Sequence, residues 1–119
     1  MTECLICNHP LTIESLSCEK CKMSYNGTFH FPRLARLSKE EQKLAELLVL
    51  HGGNLKTMAE TLEVSYPTLK KKLNKLSTSL KNKQQEDEHY IEDILHAIES
   101  KEMSAEEGIK LIREINGEL

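Results

Sequence analysis

Hydrophobic and polar positions divide the chain into stretches with different periodicity. Near the N-terminus, Leu11, Ile13 and Leu16 are candidate strand positions, and Asn26-Gly27 between two β-prone runs predicts a hairpin turn. From residue 38 onward, apolar residues recur every three or four positions, as on one face of an α-helix. The pattern therefore predicts a mainly α-helical protein with a small β segment at its N-terminus.

The middle of the chain carries start and stop signals for three helices. Ser38 and Glu41 have the spacing of a capping box, and Gly52-Gly53 should end the first helix. Asn54 and Ser65 are candidate N-caps for the second and third helices. Three helices of about 13, 9 and 16 residues with such short connections predict a trihelical unit.

The last part of the chain has its own helical pattern. Two apolar-faced helices surround the short connection "SKEMS", which predicts an antiparallel helical hairpin. So short a hairpin cannot bury both apolar faces alone, so it should pack on the rest of the chain, on a second copy or on a partner. The polar residues 78–88 before it are either a flexible hinge or a helical extension. We therefore predict three domains, at residues 1–31, 32–85 and 86–119.

Cysteine spacing adds a candidate metal site to the first domain. The chain contains four cysteines, in the pattern C-x2-C-x10-C-x2-C. Each C-x2-C pair can wrap a tight turn with both sulfurs facing one point, and four thiolates complete a tetrahedral shell for zinc. Because a filled shell leaves no position for substrate, the sequence predicts a zinc ribbon with one structural Zn²⁺. The predicted ligands are Cys4, Cys7, Cys18 and Cys21.

Other interpretations of the cysteines have specific requirements. Two disulfides would require an oxidising compartment, and a rubredoxin-like iron site usually has its two pairs farther apart. His9 and His30 could replace a ligand, but four cysteines already fill the shell, so we interpret both as surface histidines. Asn8 and Lys22 stand where such knuckles often carry glycine, which predicts left-handed backbone there, less readily adopted by Lys22.

Charge is distributed unevenly along the chain. The net charge is −3. Residues 31–85 hold eleven basic and five acidic side chains, a net +6, whereas residues 86–119 hold three basic and eleven acidic side chains, a net −8. The basic middle predicts a polyanionic partner, although charge that merely keeps a small protein soluble is the alternative. No apolar run is long enough for membrane insertion and no signal-peptide pattern is present, which predicts a cytoplasmic protein.

The third predicted helix, "SYPTLKKKLNKL", separates leucines from lysines. On a helical projection its leucines fall on one side, and the other side is basic and polar. No acidic residue occurs from Ser65 to Gln85, whereas a solvated helix usually mixes both signs. This one-signed face favours contact with an anion over an ordinary solvated surface.

The stretch "GNLKTMAETLEVSYPTLKKKLNKL" resembles the helix-turn-helix of Fis and NtrC-type DNA-binding domains. Ala59 is small where two helices would cross, Val64 would anchor the turn, and Glu63 replaces the glycine usual there. The chain is similar to the bacterial domain-of-unknown-function family 2089, in which a zinc ribbon precedes this motif, through the join "FPRLARLS" and the later "GNLK" and "SYPT". Its C-terminal part is similar to a short helical-hairpin module found beside cell-envelope stress proteins.

The resemblance implies a DNA-binding transcriptional regulator with double-stranded DNA as its partner. Residues 86–119 would then form a homo-oligomer, bind a protein partner or inhibit the DNA-binding helix. The alternative is a protein-interaction adaptor whose degenerate helix-turn-helix does not bind DNA. No catalytic set of residues is visible, so an enzyme is not expected. The predicted DNA contacts are Arg33, Arg36, Lys56, Tyr66, Pro67, Thr68, Lys70, Lys71, Lys72, Asn74 and Lys75.

Overall fold

A computed structural model describes residues 2–117 of the chain. Two short strands come first and four α-helices follow, which confirms the predicted fold class of a mainly α protein with a small N-terminal β sheet. The elements are β1 (Thr12–Ser17), β2 (Ser24–His30), a 3-10 helix (Arg33–Arg36), α1 (Lys39–Leu50), α2 (Leu55–Leu62), α3 (Tyr66–Glu99) and α4 (Ala105–Ile115).

The chain forms two compact units. The terminal unit comprises the residues up to Pro32 and those from Asp87 onward, and the middle unit comprises Arg33–Glu86. The terminal unit thus combines the predicted ribbon with the predicted acidic hairpin. The prediction of three separate domains stays a prediction.

The two strands pair antiparallel, with Leu16 opposite Tyr25. The predicted turn at Asn26-Gly27 is wrong, because both residues lie inside β2, next to an irregularity in the strand register. The strands are instead joined by the second cysteine pair, where the amide of Cys18 donates to the Met23 carbonyl at 2.8 Å. That tight turn sets the pairing of the strands, so Asn26 pairs with Ser15, and Gly27 and Thr28 lie opposite Glu14 at the irregularity.

In the middle unit, each helix begins at the residue that its sequence predicts. The Ser38 hydroxyl accepts from the Glu41 amide at 3.2 Å, and the Glu41 carboxylate accepts from the Ser38 amide at 3.2 Å, so the predicted capping box is present. Asn54 caps α2 by accepting from the Thr57 amide at 3.3 Å. The capped helices pack around a core of Met58, Ala59 and Leu69.

His51 connects α1 to α2 in the middle unit. Its Nδ1 lies 2.8 Å from the Leu47 carbonyl oxygen, and its Nε2 lies 3.1 Å from the Thr61 hydroxyl. His51 follows the last residue of α1, where a histidine faces the negative end of the helix dipole. The contact with Thr61 adds a link between neighbouring helices.

Helix α3 is much longer than the third predicted helix, since it continues to Glu99. The polar residues 78–88 are therefore the predicted helical extension rather than a hinge. After a short connection, Ser104 caps α4 by accepting from the Glu107 amide at 3.2 Å. Gly108 is buried beside Ile94 and Ile98, where the two helices approach closely. Among the described residues, no helix is long and apolar enough to cross a membrane.

Candidate nucleic-acid interface and metal centre

Helices α2 and α3 are joined by a tight turn that ends one helix and begins the next. Glu63 adopts left-handed backbone, with φ 55° and ψ 41°, and the Val64 amide donates to the Ala59 carbonyl at 3.1 Å. Ser65 then caps α3, because its hydroxyl accepts from the Thr68 amide at 3.3 Å. The left-handed position of this turn is thus occupied by glutamate, where glycine is usual in such motifs.

The first four turns of α3 have one buried side and one exposed side. Leu69 is fully buried and Leu76 is 5% exposed. The residues on the other side are exposed, including every α3 residue that the sequence assigned to DNA. These are Tyr66, Pro67, Thr68, Lys70, Lys71, Lys72, Asn74 and Lys75. The packing of α3 therefore presents a basic face to solvent.

Several exposed side chains on this face already have local partners. Lys70 Nζ lies 6.0 Å from the centre of the Tyr66 ring, and the Thr68 hydroxyl lies 2.7 Å from the Ser65 hydroxyl. Lys72 Nζ lies 4.0 Å from Glu40 Oε1 on α1. Lys71 and Lys75 have no acidic partner within the part of the chain that the structure describes. Both ammonium groups are therefore uncompensated by a carboxylate and open to an incoming phosphate.

Comparison with known families recognises this same region. Residues 37–83 match the family model described as "Domain of unknown function (DUF2089)-HTH". The helix-turn-helix region of this chain is thus similar to the DUF2089 family. No curated protein and no solved structure matches the chain. The family assignment thus rests on the middle unit, which the match covers from Leu37 to Lys83.

The remaining predicted contacts of the DUF2089 helix-turn-helix differ in exposure. Lys56 is exposed on α2. Arg33 and Arg36, on the 3-10 helix, are half-buried and already interact with other groups of the chain. A phosphate contact by either arginine would require its present interactions to change, so Lys56 is the better placed of the three.

Sequence reasoning missed Glu40, the acidic partner that reaches the lysine face. Within α3 itself, no acidic residue occurs between Ser65 and Gln85. Glu40 lies on α1, about thirty residues away in sequence. Only the packing of α1 beside α3 brings it to Lys72, so no signal within α3 could have identified it.

Each cysteine pair in the terminal unit forms a tight knuckle. The Asn8 amide donates to the Cys4 carbonyl and the Lys22 amide to the Cys18 carbonyl, both at 2.9 Å. Asn8 has φ 59° and Lys22 has φ 63°, so both adopt the left-handed backbone predicted at these positions. The two knuckles therefore repeat one backbone design, with an L-residue where glycine is common.

Backbone amides surround the first cysteine of each pair. The Ile6 amide lies 3.4 Å from Cys4 Sγ. Hydrogen bonds from the backbone of Cys7 and then of Ile6 lower the pKa of the Cys4 thiol below its ordinary value. Hydrogen bonds from the backbone of Cys21 and then Lys20 lower the pKa of Cys18 in the same way. Amides that stabilise a thiolate suit a metal ligand.

The four sulfurs are not gathered into one shell. Among residues 2–117, no three His, Cys, Asp or Glu side chains lie together in a group that could hold a metal ion. Each knuckle by itself supplies two thiols, half of the ligand set that zinc prefers. All four cysteines are free thiols. Each knuckle thus fits half of a zinc shell, and the two halves are not brought together among the described residues.

Proposed function

We propose that the middle unit binds double-stranded DNA through α3 and that the protein regulates transcription in the bacterial cytoplasm. The observation that supports this most is the exposed face of α3, which carries Lys71, Lys75 and Asn74 and no acidic residue up to Gln85. In a helix-turn-helix, the N-terminal residues of the second helix contact base edges in the major groove. Tyr66, Pro67 and Thr68 occupy that end.

The lysines would contribute mainly to affinity. A lysine ammonium is a point charge that suits phosphate contacts, whereas bidentate recognition of guanine is more typical of arginine. Lys71 and Lys75 would therefore anchor the helix on the phosphate backbone, and Asn74 would be the candidate for adenine recognition. This proposal assigns a binding function and no catalytic step.

The test is fluorescence anisotropy with labelled DNA fragments over a range of salt concentrations. Lys71→Glu and Lys75→Glu should each weaken binding and reduce the salt slope by about 1. Lys110→Glu changes the net charge equally on α4, so it is the matched control and should bind like wild type. If all three variants lose DNA affinity equally, the effect is explained by net charge alone and not by contacts of Lys71 and Lys75. Absent or salt-independent binding by wild type would contradict the proposal.

An adaptor function is the second candidate. The Glu40–Lys72 ion pair favours it, because it occupies one of the lysines that DNA would require. The acidic residues of the terminal unit also suit a basic protein partner. An adaptor predicts no DNA affinity in wild type and none in Glu40→Gln, whereas a DNA-binding protein should bind more tightly when Lys72 is released.

We further propose that one structural Zn²⁺ binds Cys4, Cys7, Cys18 and Cys21. When bound, the ion would hold four thiolates in a closed shell and stabilise the N-terminal segment. Elemental analysis should find one zinc per chain, and Cys7→Ser or Cys21→Ser should lose it while Ser17→Ala retains it. Chelation should remove amide protection before residue 32 and leave it in Arg33–Glu86. Bound iron, or zinc retained by both cysteine variants, would contradict this assignment.

Homo-oligomerisation through residues 86–119 is the last part of the proposal. A dimer would fit a palindromic DNA site, since one short helix seldom recognises enough sequence alone. Leu95 and Ile109 are about half exposed and could contribute to such a contact. Light scattering measures the oligomeric state of wild type and of the Leu95→Gln and Ile109→Gln variants, which should dissociate more readily. A monomeric wild type across the working concentration range would remove this part and leave the DNA-binding proposal standing.

A further inference from the structure

The middle unit contains a groove between α1 and α3 beside the lysine face. Its volume is about 680 Å³, within the range of about 300–1,000 Å³ typical of small-molecule sites. Five of its twelve lining residues are aliphatic, the other seven are serine, glutamate or lysine, and no aromatic residue lines it. The apolar lining residues are Leu44, Leu47, Leu62, Val64 and Leu76.

Charged side chains at the edge of the groove are nearly balanced. Lys72 pairs with Glu40 at 4.0 Å, and Lys43 Nζ lies 3.8 Å from Glu46 Oε2. Lys75 also lines the groove, and no carboxylate pairs with it among the described residues. The groove thus joins an aliphatic surface to one uncompensated positive charge.

The two acidic residues of the lining already have partners. Glu40 is the partner of Lys72, and Glu41 accepts from the Ser38 amide at 3.2 Å and from the Ser79 hydroxyl. A cationic ligand would have to displace these partners, whereas an anion at Lys75 would displace none. Charge complementarity therefore selects an anion for this groove.

We propose that this groove binds a small amphipathic anion, an alkyl chain ending in a single carboxylate. The chain would cover Leu44, Leu47 and Leu76, where burial of its methylene groups is favourable. The carboxylate would lie at Lys75, at the edge that faces solvent. A carboxylate satisfies the one unpaired ammonium, and the aliphatic walls favour an alkyl chain over a planar ring.

Such a ligand would also oppose DNA binding, a consequence that rests on the proposed function. Lys75 would be shared, because a carboxylate that neutralises it removes a phosphate contact. Two ligands that compete for one residue weaken each other's binding by the same factor. The groove would then act as an effector site of the DNA-binding unit.

The probe for the groove is decanoate below its micelle concentration, added to the full-length protein and followed by ¹H–¹⁵N chemical shifts. Shifts should concentrate on α1 and the first half of α3. Lys75→Gln should weaken decanoate binding by about threefold to fivefold, as expected for one partly exposed ion pair. Lys71→Gln is the matched control, because Lys71 is a neighbouring exposed lysine that does not line the groove. It should leave decanoate binding unchanged.

Two further probes measure the contributions of the carboxylate and of the alkyl chain separately. 1-Decanol lacks the carboxylate, and acetate lacks the long alkyl chain. 1-Decanol should bind more weakly than decanoate to wild type and equally to wild type and Lys75→Gln, and acetate should not bind. Equal affinity for decanol and decanoate, or an equal loss in Lys71→Gln, would overturn the proposal. Shifts centred on the exposed Leu5 and Ile6 would also overturn it, because they would indicate adsorption on exposed apolar residues.

A DNA competition experiment distinguishes failure of this inference from failure of the proposed function. Decanoate should weaken DNA binding by wild type more than by Lys75→Gln. If no DNA binds at all, the shifts and the Lys75 effect still decide whether the groove is a site. If the ligand-free protein is a dimer that decanoate dissociates, a second copy occupies the groove and the ligand proposal is wrong.

Discussion

His30 at the end of β2 and Glu114 on α4 meet side chain to side chain, with Nδ1 3.0 Å from Oε2. The two residues are 84 positions apart, and their side chains are 21% and 28% exposed. The interpretation of His30 as a surface histidine was therefore wrong. The contact ties the N-terminal sheet to the C-terminal hairpin within the terminal unit.

We expect this pair to couple the two ends of the chain energetically. A double-mutant cycle with His30→Ala and Glu114→Ala should give a coupling free energy of about 1 kcal/mol, because half-buried pairs are less screened than exposed ones. His89 and Glu92 form a matched pair at 3.7 Å with side chains 81% and 67% exposed. Their double-mutant cycle, also measured by urea unfolding, should give almost no coupling. Equal coupling free energies for the two pairs would contradict the role assigned to burial.

Adding even one methyl group at Gly108 should destabilise the protein. A Cβ at this position would lie 2.8 Å from Ile98 Cγ1 and closer still to Cδ1. Alanine normally favours a helix over glycine by about 1 kcal/mol, but overpacking of this kind costs about 1–3 kcal/mol. Gly108→Ala should therefore lower the free energy of unfolding. Lys110→Ala is the exposed control on α4 and should be nearly neutral, and a stabilised Gly108→Ala would show that the helices can separate.

Replacing Glu63 with glycine should make the middle unit more stable. Its left-handed backbone costs an L-residue about 1 kcal/mol, and glycine adopts it without that cost. Glu63→Gly should raise the free energy of unfolding of the middle unit by about 1 kcal/mol. Glu60→Gly, inside the preceding helix, should lower it by a similar amount. Thermal unfolding of both variants measures their stabilities relative to wild type. If both variants are less stable than wild type, the strain argument is refuted.

Glu41 should make the middle unit sensitive to acid. The Ser79 hydroxyl first, then Ser38 and the charge of Lys83, hold the pKa of this carboxyl below its ordinary value of 4.5, although partial burial opposes them. The resulting stabilisation is complete above that ordinary value and is lost as the pH falls through the lowered folded-state pKa.

Glu41→Gln should accordingly be less stable than wild type at neutral pH, by up to about 1 kcal/mol, and should match it in strong acid. Glu46→Gln removes an exposed glutamate of the same helix and is the control. Unfolding curves measured from neutral pH into the acid range check both. A difference that persists unchanged below the folded-state pKa would show that the glutamine disrupts packing instead.

Local features of the sequence predicted the local features of the structure. Ser38, Asn54 and Ser65 cap helices, and Asn8 and Lys22 adopt the left-handed backbone expected at their positions. The buried side of α3 also follows its leucine spacing. These features depend on hydrogen bonds and sterics within a few residues, so a short stretch of sequence contains all the determinants.

Contacts between distant segments were decided by tertiary structure alone. Asn26 and Gly27 lie within β2 because the turn between Cys18 and Met23 already joins the two strands. Glu40 contacts Lys72, and His30 contacts Glu114, because packing brings distant segments together. Neither contact can be predicted from the sequence of either segment alone. By itself, the sequence determined the helices, their caps and the lysine face. The tertiary structure decided which charges are paired and which apolar groove lies beside Lys75, since each depends on the packing of separate elements.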